Sequence, residues 1–254
     1  MPFDVPLHLA QRFCVIDHTG ITVGRVATGQ VGSTFLARLD PEAQHALQDL
    51  GAIRRHRRGA TVLFEGDTGD TVLLVVEGRL KVLATTHDGR ELVLGLRAPG
   101  ELLGELTAIA QDGRPRSATA VALDDVQVRV IPGDDFRAFV LRHPSSAMAL
   151  LTMLVTRLRE ADRQRVEFGS LDVAHRVARL LVDLADSEVR ASGEDGETDI
   201  GFQLTQDELA GMVSASRESL ARALSAIRKR ELIRTGRRSI VVLDLERLRA
   251  YASS

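Results

Sequence analysis

Residues 104–118 read Gly104-Glu105-Leu106-Thr107-Ala108-Ile109-Ala110-Gln111-Asp112-Gly113-Arg114-Pro115-Arg116-Ser117-Ala118. An acidic residue, a short apolar turn, a flexible Gly/Pro loop and an Arg-Ser pair follow one another. Arg can fork onto phosphate oxygens, Ser can donate its hydroxyl, and backbone N–H groups in a tight turn add donors. A carboxylate at the far end repels phosphate but accepts hydrogen bonds from sugar hydroxyls. One loop therefore offers a phosphate end at Arg116 and Ser117 and a ribose end at Glu105. The plain alternative is a surface turn with Arg116 in an ion pair.

Around this loop, from Gly51 to Pro132, the sequence has the period of strands and turns. Val62–Phe64, Thr71–Val76, Lys81–Ala84, Leu92–Leu94 and Val126–Val130 are short β-rich runs. Gly66, Gly78, Gly89 and Gly100 punctuate them. Short strands at this spacing predict a small jelly-roll or barrel. Upstream, Asp40-Pro41 starts a short helix with Pro in its first turn. Residues 1–33 form a mixed extension with no assigned role.

Downstream, Asp134 is the expected N-cap of a long helix and Asp135 suits the positive end of its dipole. Its apolar positions are Phe136, Phe139, Val140, Met148, Leu151, Leu154, Val155 and Leu158, with a break near His143-Pro144. From Ser145 to about Phe168 the stripe is narrow and heptad-like. That suits a two-stranded seam, and the dense Arg and Glu around it favour a dimer over packing on the chain's own barrel. A hinge is placed at Gly169-Ser170.

Leu204 to Ile233 then reads LTQDELAGMVSASRESLARALSAIRKRELI. Thr205 with Glu208 makes a capping box, and Ser216 caps a second helix with Ser219 three residues on. Two short helices joined by a tight turn form a helix-turn-helix, whose second helix can enter the major groove. That helix carries Arg217, Glu218 and Arg222. Arg pairs bidentately with guanine and Glu accepts from cytosine N4. Thr205, Gln206 and Arg238 are candidate phosphate contacts, and Ile240–Leu243 reads as a hairpin wing. Ser214 stands in the turn where a positive φ favours Gly.

Composition limits the rest. Net charge is −2, so a nucleic-acid surface must be local. Residues 201–254 supply it, with ten basic against six acidic residues. Lys occurs only at Lys81 and Lys229, a bias best ascribed to genome composition. The single Cys14 excludes an internal disulfide. The longest apolar run is too short to span a bilayer and there is no signal-peptide pattern, so the chain reads as cytoplasmic, without a membrane partner. The seven His residues are scattered, which argues against a metal cupin. No catalytic triad order, P-loop or dinucleotide fingerprint is present, so no enzymatic activity is expected.

The loop, the long helix and the helix-turn-helix occur in the order of the cyclic-AMP receptor protein/FNR family, which this chain resembles from roughly Thr34 to Leu243. The resemblance implies an α+β protein with an N-terminal antiparallel β-roll, a long dimerisation helix and a C-terminal winged helix-turn-helix. Its units would be 34–133, 134–169 and 170–254, after the extension 1–33. It implies a homodimeric transcription regulator on a palindromic double-stranded operator, with RNA polymerase as a further partner. Its allosteric ligand would be a cyclic nucleotide, cyclic AMP or cyclic GMP. Arg116 and Ser117 would hold the cyclic phosphate, Gly104 would allow close approach, and Glu105 with Leu106 beside it would meet the ribose. Ser216, Arg217, Glu218, Ser219 and Arg222 would face DNA. The family's base-contacting hydroxyl positions fall here on Ala161 and Asp162. A carboxylate at Asp162 matches the paired donors of guanine better than adenine's single amine. The alternative is an always-active DNA binder with a vestigial loop.

Overall fold

The computed structural model describes residues 34–86, 89, 91–188, 198–200, 205–236 and 239–253. Residues 1–33, the acidic stretch 192–197, Asp88, Leu204, Arg237 and Arg238 lie outside them.

A 3-10 turn, Leu36–Arg38, leads into α1, Pro41–Asp49. Asp40 caps α1 as the sequence predicts, accepting from the Ala43 N–H at 2.8 Å. Two four-stranded antiparallel sheets follow. One contains β1 (Ala52–His56), β8 (Val126–Ile131), β3 (Val72–Glu77) and β6 (Leu102–Leu103) in that order. The other contains β2 (Thr61–Leu63), β7 (Thr119–Ala122), β4 (Leu80–Thr85) and β5 (Glu91–Arg97). Leu73, Val75, Leu80, Leu103, Ala120, Ala122 and Val128 are buried in one cluster drawn from both sheets. This is the expected β-roll.

The short apolar turn at 105–110 is instead a helix, α2 (Glu105–Ala110). Gly104 starts it at φ +77°. Alternation cannot reveal a six-residue helix, because less than two turns are available to show a period.

The long helix is two helices, α3 (Gly133–Arg142) and α4 (Pro144–Ser170), bent by 112° at His143. Asp134 is not the N-cap. Pro132 occupies that position without a side-chain cap, and Asp134 lies in the first turn paired with Arg137. The extended ψ of Pro132 places the helix start at Gly133, two residues earlier than a cap at Asp134 would. A Cβ on Gly133 would approach the Asp70 carbonyl oxygen to 2.3 Å, so this close start demands glycine. Gly169 and Ser170 are the last residues of α4, not a hinge; the break is Leu171-Asp172.

The apolar residues of α4 divide between two faces. Ala149, Leu150 and Met153 pack with Phe136 and Phe139 on the β-roll. Met148, Leu151, Val155 and Leu158 form an exposed apolar stripe, with Met148 at 63% and Leu158 at 58% exposure. Among the described residues, no single helix is long and apolar enough to cross a membrane.

The C-terminal part contains α5 (Val173–Glu188), β9 (Thr198–Ile200), α6 (Gln206–Met212), α7 (Arg217–Lys229), β10 (Ile233–Gly236), β11 (Ser239–Val242) and α8 (Leu245–Ala252). Strands β10 and β11 form the expected hairpin, and β9 adds a third strand to it. Leu209, Val213, Leu220, Leu224 and Ile227 bury the inner faces of α6 and α7 against α5 and α8.

Candidate ligand pocket and nucleic-acid interface

A cavity of about 230 Å³ opens in the β-roll between β4, β5, α2 and α4. Gly104, Glu105, Leu106, Arg116 and Ser117 all line it, so both ends of the 104–118 loop face one space. The backbone of Arg116 is pinned on both sides. Its N–H donates to the Asp67 carbonyl and its own carbonyl accepts from Gly66 N–H, each at 2.9 Å. Its guanidinium points inward. Nη2 donates to the Thr71 carbonyl at 3.0 Å and the Thr71 hydroxyl at 2.9 Å. Nη1 is buried with no hydrogen-bond partner among the described residues. Burial lowers the Arg116 pKa, while Asp67, Asp70 and Glu105 favour its charge. An unmet donor on a buried cation is costly, and an anionic oxygen would satisfy it.

Gly104 is required next to this cation. A Cβ there would meet Arg116 Nη1 at 2.5 Å and the Thr71 carbonyl oxygen at 2.6 Å. Glu105 is only 2% exposed. Its carboxylate accepts from Arg157 Nη1 at 2.5 Å, and Arg157 Nη2 donates to the Leu102 carbonyl at 2.7 Å. A carboxylate has about four lone-pair sites, so Arg157 does not exhaust it. Arg157 escaped the sequence reading because α4 carries Arg at several positions and none is distinguished by pattern. Ser117 and Leu106 are exposed at the rim. Asp162 is not among the cavity's lining residues; it is exposed on α4 and pairs with Arg165 Nη1 at 3.0 Å.

The helix-turn-helix forms as its caps predict. The Thr205 side chain accepts from Glu208 N–H, and the Glu208 carboxylate accepts from Thr205 N–H at 2.7 Å. Ser216 accepts from Ser219 N–H at 3.2 Å. Ser214 takes φ +48°, so a non-glycine residue does occupy the left-handed position. Arg217, Glu218 and Arg222 are exposed on α7. Arg222 donates to Glu218 at 2.6 Å and to the Ser219 hydroxyl at 3.1 Å. Arg217 lies 3.5 Å from Gln206 Oε1. Exposed pairs of this kind are worth little and exchange readily for other partners. Arg238 lies outside the described residues.

One further contact has no signature in the sequence. Lys81 on β4 donates to Glu208 at 3.0 Å, and both side chains are largely buried. Gly211 of α6 sits against Glu91 and Val93 of β5. The first helix of the motif thus rests on the β-roll.

Comparison with known proteins follows the same division. Residues 53–143 match the cyclic nucleotide-binding domain, and residues 175–251 match the Crp-like helix-turn-helix domain. The CRP-like cAMP-activated global transcriptional regulator of Mycobacterium tuberculosis is 33% identical over 191 residues, covering 75% of this chain and 84% of its own. The chain belongs to the CRP/FNR family. This family member is a DNA-binding transcription regulator, not an enzyme. The cyclic AMP receptor protein of Thermus thermophilus is 30% identical over 221 residues, covering 87% of this chain and 97% of its own. Among solved structures, the c-di-GMP responsive global regulator CLP of Xanthomonas campestris aligns with TM-score 0.70 at 25% identity, covering 81% of this chain and 100% of that one. A CRP/FNR family transcriptional regulator from Thermus thermophilus gives 0.67 at 27% identity, covering 80% and 99%.

Gly104→Ala places a methyl group on both Arg116 and the Thr71 backbone. The left-handed backbone alone costs an alanine about 1–2 kcal/mol. Urea unfolding is expected to show a loss of at least that size, with the displaced Arg116 adding to it.

Proposed function

We propose that this chain is a cytoplasmic homodimeric regulator, switched by a cyclic nucleotide in the β-roll and reading a palindromic operator with α7. The observation that carries the reading is Arg116, a buried guanidinium with one unmet donor on a cavity wall. A cyclic phosphate is a singly charged anion that supplies the missing acceptor. Ser117 adds a hydroxyl at the rim, Gly104 admits the ligand closely, and Glu105 accepts from the ribose 2′-hydroxyl beside Leu106. The base, adenine or guanine, lies towards α4. Asp162 of the partner helix meets it only in a dimer. Residues 34–133 form the ligand unit, 134–169 the dimerisation unit and 170–254 the DNA unit. The relatives named above include a cAMP-activated regulator, a cyclic AMP receptor protein and a c-di-GMP responsive regulator, so family membership alone does not choose the ligand.

The exposed stripe Met148, Leu151, Val155 and Leu158 supports the dimer, since its spacing is that of a coiled-coil seam. Arg217, Glu218 and Arg222 read bases. Thr205, Gln206, Ser216, Ser219 and Arg238 hold phosphates or the helix start. One observation favours the second reading, a constitutive regulator with a vestigial pocket: Arg157 already neutralises Glu105. Operator binding with and without added nucleotide separates the two.

Arg116→Ala is expected to abolish cyclic nucleotide binding in calorimetric titration while the dimer persists. Arg116→Lys rescues only in part, because Lys lacks the planar fork. Unchanged affinity in the alanine variant rejects the pocket assignment.

Leu158→Asp puts two like charges into the seam. Sedimentation should show a monomer, and operator affinity should fall with it. A stable dimer in this variant places the interface elsewhere.

Arg217→Ala is expected to weaken operator binding by about 1–3 kcal/mol and relax preference at one base pair. Competition against single-base operator variants reads this directly, and intact preference excludes Arg217 as a base contact.

A further inference from the structure

Arg97 ends β5 and lines the same cavity as Arg116. Its Nη1 donates to the carbonyl of its own neighbour Leu96 at 2.7 Å. That is its one hydrogen bond among the described residues, and it forms no ion pair there. Desolvation pushes its pKa down, and Arg157 pushes the same way. Glu101, Glu105 and Glu160 act on it in the opposite sense. A guanidinium has five N–H donors, and a single carbonyl leaves most of them unused.

Its place along the cavity decides what those donors meet. The charges felt by Arg116 are Asp67, Asp70 and Glu105. Those felt by Arg97 are Arg157, Glu101, Glu105 and Glu160. Glu105 is common to both, and all three side chains line the one cavity. With phosphate at Arg116 and ribose at Glu105, the lining that remains for the base is Arg97 with the apolar side chains Leu63, Val82, Leu94 and Leu154.

We propose that Arg97 is a specificity-determining residue that makes this a pocket for a guanine cyclic nucleotide. The inference rests on the cyclic nucleotide reading of the cavity. Guanine presents O6 and N7 as adjacent acceptors, which match the arginine fork. Adenine presents its N6 amine beside N7, so one arginine donor faces another donor. A buried donor left facing a donor is penalised on both sides. The selection comes from within one protomer and does not require Asp162. Cyclic GMP and cyclic di-GMP share this base. The cavity falls below the roughly 300–1,000 Å³ usual for drug-sized ligands, which favours the mononucleotide.

The test is calorimetric titration of the full chain, wild type and Arg97→Met, with cyclic GMP, cyclic AMP and cyclic di-GMP. Wild type is expected to bind cyclic GMP at least about tenfold more tightly than cyclic AMP, within the range of one good bidentate base contact. Arg97→Met should weaken cyclic GMP by about fivefold or more and leave cyclic AMP within about twofold. Tighter binding of cyclic di-GMP, weakened by Arg97→Met, supports the guanine contact and assigns it to the dinucleotide. Equal or tighter binding of cyclic AMP by wild type overturns the proposal, and so does an equal loss of all ligands in Arg97→Met. The wild-type ratio stands even if the variant folds poorly. Failure of every nucleotide to bind wild type instead removes the cyclic nucleotide reading and this inference with it.

Discussion

Arg157 reaches from α4 into the β-roll and holds two groups at once, the Glu105 carboxylate and the Leu102 carbonyl. Glu105 is almost inaccessible to water, and a buried carboxylate stripped of its partner is strongly destabilising. The pair therefore ties the start of α2, the strand β6 and the middle of α4 into one unit. The exposed stripe of α4 lies on the same helix. A ligand that shares Glu105 with Arg157 acts on α4 directly, without an intermediate chain of contacts. Such a ligand shifts a conformational balance only as far as it binds one arrangement better than another.

The parts of this arrangement that depend on local chemistry were legible in the sequence. The capping box of Thr205 and Glu208, the cap at Ser216 and the Asp40-Pro41 start all formed where their residues stand. The strands β3, β4 and β8 announced themselves by β-branched runs. Strand β1 did not, because Ala-Ile-Arg-Arg-His at a sheet edge is mostly exposed and shows no alternation. Its register comes from hydrogen bonds to β8, which are a tertiary fact. Arg116 was legible because Ser, Gly and Pro frame it. Arg97 and Arg157 were not, since each is one arginine among many until the fold brings both to the cavity that Glu105 lines.

Ser214 shows how a local rule can be broken and still be read correctly. The turn needs a left-handed residue, and serine stands there. The turn persists because its neighbours fix it. Ser214 N–H donates to the Gly211 carbonyl at 3.3 Å and Ala215 N–H to the Ala210 carbonyl at 2.9 Å. Helices α6 and α7 bury Leu209, Val213 and Leu220 on either side. Burial on this scale outweighs a backbone penalty of about 1–2 kcal/mol.

The seating of α6 on β5, with Lys81 against Glu208, has a geometric consequence for the DNA. The reading helix follows α6 after a four-residue turn, so its direction is inherited from the β-roll rather than set by a loose tether. On B-form DNA, moving one half-site by a single base pair shifts it by about 3.4 Å and turns it by about 35° around the axis. A swivelling reader would follow that turn. In the dimer proposed above, a reader braced against a sheet would have to break a largely buried ion pair and a packed helix face, and tolerance for altered spacing between half-sites would be set in the β-roll, far from any base.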